Sequence, residues 1–424
     1  MTEHPQPATF HVMAKPTGAQ CNLDCAYCFY LKKSALYSES DFRMRDAVMD
    51  RYVRQTVRSG QPMIAWQGGE PTLMGLDFFR RVMAAEQKHA KPGTRVENTI
   101  QTNGILIDED WCKFLHDNRF LVGVSLDGPR GVHDVYRKDQ GGNPSFARVV
   151  RAVRLMQKHQ VEFNVLCTVN AVNSRHPLDV YRFFRDDLGA RYLQFIPIVE
   201  KDEGRGPGGE GAGITDRSVG AEPYGRFLIE IFDEWVKRDV GTVFVPFFDA
   251  VLASFVNGES SLCVLRPTCG DALVLEHNGD LYSCDHFVDP EHLLGNVTRT
   301  PLVELAASPK QRAFGQFKTT ALPGQCRVCK WLFTCHGECP KNRILTTADG
   351  EPGLNWLCAG LKAFFEHTEQ PMKEMAALLK SGRYADEIMS TRRAEVQAQS
   401  NDVCESLKLR ESQNILPPAF IGAR

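Results

Sequence analysis

No run among the 424 residues is both long and apolar enough to span a bilayer. The best candidate, VFVPFFDAVLASFV at 243–256, is interrupted by Pro246 and Asp249 and reads as a buried segment. The opening MTEHPQPATF lacks the basic and apolar stretches of a secretory leader, so no signal peptide is expected and the default location is the cytoplasm. An excess of charge is lacking too. The formal net charge of −2 gives no overall attraction to nucleic acid or to an anionic membrane, and neither is expected as a partner. No internal repeat is visible. Hydrophobic residues at 43% and charged residues at 24% are ordinary for a globular chain long enough for one large or two medium domains.

Cysteine is what the chain has in excess: fourteen in a sequence without a leader. Disulfides are rare in reducing compartments, so metal ligation or redox chemistry is the leading explanation, against a scatter of small buried hydrophobes. Spacing separates the two. Cys112, Cys167 and Cys404 are solitary and are assigned to packing, whereas three cysteines fall at 21–28 and eight at 263–358.

Residues 9–200 alternate between two periodicities. TFHVMAK, MIAWQ, VENTIQT, LVGVSL, FNVLCTV and YLQFIPI read as strands, with helical stretches near 43–59, 75–89, 108–118, 145–159 and 177–188. The strands are mostly apolar, as expected where both faces of a sheet are covered. Repeated βα units imply a parallel sheet, open or closed into a barrel, with chemistry at the C-terminal strand ends. The informative stretches fall there. CNLDCAYC follows the first strand, GGEP (68–71) the second and TNG (102–104) the third, while SLDGP (125–129) overlaps the end of the fourth. KDEGRGPGGEGAGI at 201–214 reads as a mobile loop, with a helix after it at about 222–238. LVLEHNGDLYSC at 273–284 is a hairpin signature, with Asn278-Gly279 between two alternating runs. Residues 360–412 read as helical and polar, without a motif.

Cys21, Cys25 and Cys28 form a C-x3-C-x2-C run, one ligand short of tetrahedral zinc or of a fully ligated iron–sulfur cluster. A distant fourth ligand would complete a zinc site. Alternatively, three thiolates on a [4Fe–4S] cubane leave one iron open to an exogenous ligand. The run has Tyr27 before its last Cys, and with GGEP after the second strand it resembles the radical S-adenosylmethionine (SAM) enzymes. The resemblance implies that the open iron takes the amino and carboxylate groups of the cofactor's methionine part. Reductive cleavage then releases a 5′-deoxyadenosyl radical. It also implies cofactor contacts from Tyr27, Gly68, Gly69, Glu70, Asn103, Ser125 and Arg137, with Ser125 and Arg137 as partners of the cofactor carboxylate. An arginine there makes a charge-assisted contact.

The second group runs Cys263-x5-Cys269-x14-Cys284, then Cys326-x2-Cys329-x5-Cys335-x3-Cys339, then Cys358, with four residues between Gly279 and Cys284. A double zinc ribbon is one reading. The pattern resembles a SPASM domain, which implies two auxiliary [4Fe–4S] clusters with interleaved ligands: Cys263, Cys269, Cys284 and Cys339 for one, Cys326, Cys329, Cys335 and Cys358 for the other. Three clusters then account for eleven cysteines. Full ligation leaves these two for electron transfer, so a net oxidation is expected.

CNLDCAYCFY, QGGEP, QTNG, CDHFVDPEHLLGNV (284–297) and CHGECPKNR (335–343) together resemble the anaerobic sulfatase-maturating enzymes over about residues 9–360. The resemblance implies oxygen-independent conversion of a Cys or Ser in a sulfatase motif, Cys/Ser-x-Pro/Ala-x-Arg, to Cα-formylglycine. The radical takes a Cβ hydrogen, Asp285 beside the ligand Cys284 takes a proton, and an auxiliary cluster takes an electron. Tyr30 is expected to hydrogen-bond Asp285, and Gln67 is a second candidate for orienting it. The partners implied are an unfolded or nascent sulfatase segment, bound extended in a groove, and a reducing donor such as flavodoxin or ferredoxin. A peptide-crosslinking SPASM enzyme and a zinc-stabilised interaction protein are the competing readings. The expected architecture is α/β. A partial (β/α)6 TIM-like barrel at 1–240 precedes a Cys-rich SPASM domain at 241–370 and a helical tail at 371–424, in a chain expected to be monomeric.

Overall fold

The computed structural model of the chain describes residues 10–38, 41–58, 62–202 and 213–390. All six expected strands of the first half form: β1 (His11–Lys15), β2 (Met63–Trp66), β3 (Glu97–Thr102), β4 (Leu121–Ser125), β5 (Phe163–Val169) and β6 (Leu193–Pro197). They lie side by side in chain order and parallel. The hairpin at Asn278-Gly279 forms too, as β7 (Ala272–Glu276) and β8 (Asp280–Tyr282), followed by β9 (Leu293–Asn296). The sheet does not end at β1. Strand β7 pairs with it in parallel, and β8 and β9 follow antiparallel, so the barrel strands and the Cys-rich segment share one nine-stranded sheet. This pairing sets Lys15 opposite Glu276 at the C-terminal ends of their strands.

The strands are less uniformly buried than their apolar composition suggests. Burial alternates along β2, β3 and β5. One set, including Ile64, Trp66, Ile100, Val122, Val165 and Cys167, packs into the core with the surrounding helices. The other set is half-buried and carries polar side chains such as Gln101, Ser125 and Thr168. Period-two alternation puts successive side chains on opposite faces. The half-buried face is therefore the concave one, which leaves room for ligands.

Helices occupy Asp46–Val57, Leu76–His89, Glu109–Asp117, Phe146–Lys158, Pro177–Arg182 and Ala221–Arg238, close to the expected spans. Local chemistry sets their ends: the Asp108 carboxylate accepts from the Trp111 N–H (2.9 Å) at the start of Glu109–Asp117. The segment at 243–256 is the buried helix Pro246–Asn257. Proline at a helix start is tolerated because its missing N–H would be unpaired there. Of the expected polar tail, Cys358–Lys380 is one helix with a buried face, and it runs without a break across the expected boundary at 370/371. Its Gly360 crosses Ala221–Arg238 so closely that a Cβ there would lie 1.8 Å from the Ala221 carbonyl oxygen. Residues 203–212 of the Gly-rich loop, the tail from 391 and Cys404 lie outside the described residues. Cys112 and Cys167 are fully buried packing residues, as expected.

One buried acid yields a pH prediction. Glu86 is buried beneath β3, where Asn98 donates to its carboxylate (2.9 Å), and burial pushes its carboxyl up to about 7. The folded state thus holds this proton more tightly than the unfolded chain. Stability falls as pH rises from the ordinary carboxyl value, near 4.5, through about 7. Glu86→Gln keeps the acceptor and removes the charge. The variant is expected to gain on the order of 3 kcal/mol above pH 7 and almost nothing near pH 4.5. Anaerobic thermal unfolding at several pH values checks this, and a gain independent of pH would refute it.

Candidate functional site

The loop from β1 carries Cys21, Cys25 and Cys28, and the GGE stretch after β2 clamps it. The Gly69 N–H donates to the Gly18 carbonyl and the Glu70 N–H to the Gln20 carbonyl, both at 2.8 Å. A Cβ on Gly69 would sit 1.9 Å from the Gln20 carbonyl oxygen, so only glycine permits this approach. Glu70 is fully buried. Its carboxylate accepts from the Thr72 N–H and hydroxyl (3.0 and 2.6 Å), the Thr102 hydroxyl (2.8 Å) and the Asn103 N–H (2.7 Å). Burial raises its pKa against the pull of these donors. Glu70 thereby ties the ends of β2 and β3 together. The Asn103 amide reaches the Asn22 side chain (2.7 Å) and the Cys21 sulfur (3.6 Å).

A second buried knot stands beyond β4. Arg137 donates through Nε to Asp127 (2.9 Å) and through Nη2 to the Thr168 hydroxyl (2.9 Å). The Tyr27 hydroxyl donates to the same Asp127 carboxylate, and the Thr168 N–H caps its other oxygen (3.0 Å). Burial alone would push the Asp127 carboxyl up, but Arg137 beside it holds it below its ordinary value. Arg137 is also near enough to Cys25 and Cys28 to ease their ionisation. Ser125 accepts from Gln101 (3.0 Å) on the concave face. Asp127 is a residue that sequence reasoning missed. It stood in SLDGP, but nothing local marks it as the anchor of both Arg137 and Tyr27.

Asp285 follows Cys284 at the end of β8, and its partner is not the expected one. The Tyr30 hydroxyl donates to Glu276, not to Asp285. Lys15 comes between: its ammonium pairs with Asp285 and lies 3.5 Å from the centroid of the Tyr30 ring. The cause is the β1–β7 register, which presents Lys15 and Glu276 side by side and so hands each acid a different donor. Gln67 makes no side-chain hydrogen bond among the described residues, so it does not orient Asp285 here. The Lys15 side chain is 3% exposed and that of Asp285 24%, so the carboxylate keeps an open side. Burial would raise its pKa, but Lys15, with His286 and Lys341, holds it below the ordinary value. Burial raises the thiols of Cys28 and Cys284, and Asp285, next in sequence to Cys284, adds to both shifts.

Among the cysteines of 263–358, the thiols that influence one another fall in two sets. Cys284 is opposed by Cys263 and Cys269, Cys269 by Cys263, and Cys339 by Cys284 and Cys263. Cys326 is opposed by Cys358 and Cys329, Cys335 by Cys358 and Cys326, and Cys358 by Cys329. Burial pushes the thiols of Cys21, Cys284 and Cys335 up to about 12 and that of Cys25 up to about 11. Such thiols ionise only with a bound metal or cluster to hold the charge. A cavity of about 30 Å³ is lined by all four of Cys326, Cys329, Cys335 and Cys358. Among the described residues no three of these side chains converge at single-ion distance. Four thiols around one cavity are a donor set suited to a bound cluster. Between Cys335 and Cys339, His336, Gly337 and Glu338 all have left-handed φ (46°, 71° and 52°). Arg343 holds this strained turn through the carbonyls of His336 (2.8 Å) and Gly337 (3.0 Å).

A parallel α/β sheet, three thiols beyond its first strand with a Gly-Gly-Glu clamp on their loop, and eight thiols in two further groups together define a radical SAM protein with an auxiliary iron–sulfur domain. The Radical SAM superfamily profile matches residues 16–184, and the iron-sulfur cluster-binding SPASM profile matches residues 257–330. More narrowly, the chain belongs to the anaerobic sulfatase-maturating enzymes. It is 44% identical over 392 residues to the serine-type enzyme of Bacteroides thetaiotaomicron, covering 89% of this chain and 94% of that one. To the cysteine-type enzyme of Clostridium perfringens it is 37% identical over 363 residues, covering 84% and 95%. The structure of native anSMEcpe with bound AdoMet and Cp18Cys peptide matches with a TM-score of 0.78 at 35% identity, covering 87% of this chain and 99% of that one. Among the described residues no helix is long and apolar enough to cross a membrane.

Proposed function

We propose that the protein oxidises a Cys or Ser of an extended sulfatase segment to Cα-formylglycine, with Asp285 as the base and the cluster beside it as the electron acceptor. One observation carries this reading: Asp285, next in sequence to Cys284, pairs with the buried Lys15 ammonium beside the ring of Tyr30, two residues past Cys28, and its side chain keeps an exposed part. The relatives named as serine-type and cysteine-type maturases support the substrate class, and AdoMet together with a peptide in the solved neighbour supports a peptide bound beside the cofactor.

Cys21, Cys25 and Cys28 would hold the SAM-binding cluster. Cys263, Cys269, Cys284 and Cys339 would hold the first auxiliary cluster, and Cys326, Cys329, Cys335 and Cys358 the second. Bound there, cluster and cofactor would supply the hydrogen-atom abstraction at the target Cβ and an electron acceptor. Loss of that hydrogen makes the attached O–H or S–H far more acidic, so a base as weak as Asp285 suffices. Asp285 would take the proton while a cluster held through Cys284 would accept one electron, leaving a C=O or C=S. Water converts the thioaldehyde to the aldehyde. Lys15 keeps Asp285 ionised before the step. Glu70, Asn103 and the Gly68–Gly69 backbone shape the cofactor's methionine end, with Ser125 and Arg137 at its carboxylate and Tyr27 packed beneath Arg137.

The test is anaerobic. Reconstituted, reduced protein is given SAM and synthetic peptides containing Cys-x-Pro-x-Arg or Ser-x-Pro-x-Arg, and peptide mass is read. Loss of two hydrogens from the Ser peptide, or the matching aldehyde from the Cys peptide, with stoichiometric 5′-deoxyadenosine, is the expected result. Deoxyadenosine with both peptides unchanged would overturn the substrate assignment, and a peptide crosslink would favour the competing SPASM chemistry.

A further inference from the structure

Lys318 lies in the helix Pro309–Thr320 and is fully buried. A buried ammonium ordinarily pairs with a carboxylate, because the desolvation cost is otherwise uncompensated. Lys318 forms no ion pair among the described residues. It donates instead to two backbone carbonyls, those of Cys263 (2.6 Å) and Val264 (2.9 Å). The anionic groups that act on it are Glu338 and the thiols of Cys269, Cys263 and Cys339. Glu338 is itself engaged by the amides of Asn342 (3.0 Å) and Asn355 (2.7 Å). Three of the four thiols of one group therefore face a single buried cation. The nearby Arg343 acts on Cys326 and Cys335 of the other group, and also on Cys339 and Cys269 of this one.

We propose that Lys318 raises the reduction potential of the cluster held by Cys263, Cys269, Cys284 and Cys339, and so tunes that cluster to accept the electron released beside Asp285. The proposal rests on the ligand assignment above. A cluster becomes one charge more negative when it takes one electron from the substrate radical. A fixed cation in a poorly screened interior stabilises that reduced state more than the oxidised one. Among the thiols, Lys318 acts chiefly on its own group. It is a tuning residue and touches neither substrate nor cofactor.

The experiment is an EPR-monitored redox titration of the reconstituted full-length protein, with SAM added to move the signal of the first cluster away. Lys318→Gln keeps a donor for the two carbonyls and removes the charge. The expected result is a shift of one auxiliary midpoint to more negative potential, by at least about tenfold in the reduced-to-oxidised ratio, about 59 mV for a one-electron couple. The other two midpoints stay in place, and Lys318→Arg restores the wild-type value. An unmoved midpoint at full iron content overturns the proposal, as does an equal shift of all three clusters. If Lys318→Gln loses iron, Lys318→Met is titrated instead. Loss of iron from both makes Lys318 a structural strut and overturns the proposal as well. If Cys263→Ala and Cys269→Ala leave the iron content unchanged, the ligand assignment itself fails.

Discussion

Asp285→Asn is expected to bind SAM and peptide normally, to form 5′-deoxyadenosine, and to make formylglycine about 10²- to 10⁴-fold more slowly, the usual contribution of a positioned base. The substitution removes the proton acceptor without changing the size of the side chain. It also strips Lys15 of its counter-charge. An unpaired buried ammonium costs about 3–5 kcal/mol, so lower thermal stability is expected alongside the lost turnover. The two effects can be separated. Lys15→Met with Asp285→Asn removes the stranded charge and should recover stability without recovering activity. Peptide mass, deoxyadenosine yield and melting temperature read the three quantities independently. Wild-type turnover in Asp285→Asn would end the base assignment.

Gly69→Ala is the second large effect, and it tests the first cluster instead of the base. The added methyl group would meet backbone at 1.9 Å, from the carbonyl of Gln20 next to Cys21. Neither side can yield easily. Gly69 and Glu70 are hydrogen-bonded to the loop, and Glu70 is locked in place by four donors. The loop must move, and Cys21 moves with it. The expected outcome is selective: loss of about one third of the iron, the four irons of one of three clusters, with SAM cleavage abolished. The auxiliary clusters, bound some 200 residues later in the chain, should survive, so the protein stays brown. Full iron content with normal deoxyadenosine formation would refute the clamp. Uniform loss of iron would mean that the whole fold had failed.

These effects differ in how visible their origins were. The strands, the helices of the βα series and the Asn278-Gly279 hairpin were legible because periodicity and turn chemistry are local. The thiol groups were legible for the same reason, since C-x3-C-x2-C and C-x2-C-x5-C-x3-C reflect ligand reach along a few residues. Tyr30 was assigned to the wrong acid, because its choice between Asp285 and Glu276 depends on a residue far away in the chain. Lys318 and Asp127 drew no notice: a lysine in an amphipathic helix and an aspartate in a turn read as surface and punctuation. Burial turned the one into an unpaired cation facing thiols and the other into the anchor of Arg137.

The amino-acid sequence by itself determined the class of chemistry. Eleven cysteines at ligand spacing, a Gly-Gly-Glu stretch after the second strand and an aspartate next to Cys284 are properties of short stretches. Only the tertiary structure decided the wiring around them. The pairing of β1 with β7 joins segments about 260 residues apart. It brings Lys15 to Asp285 and Tyr30 to Glu276 and merges the barrel with the Cys-rich segment in one sheet. Which donor meets which acid depends on strand register, and register is settled by packing across the whole sheet.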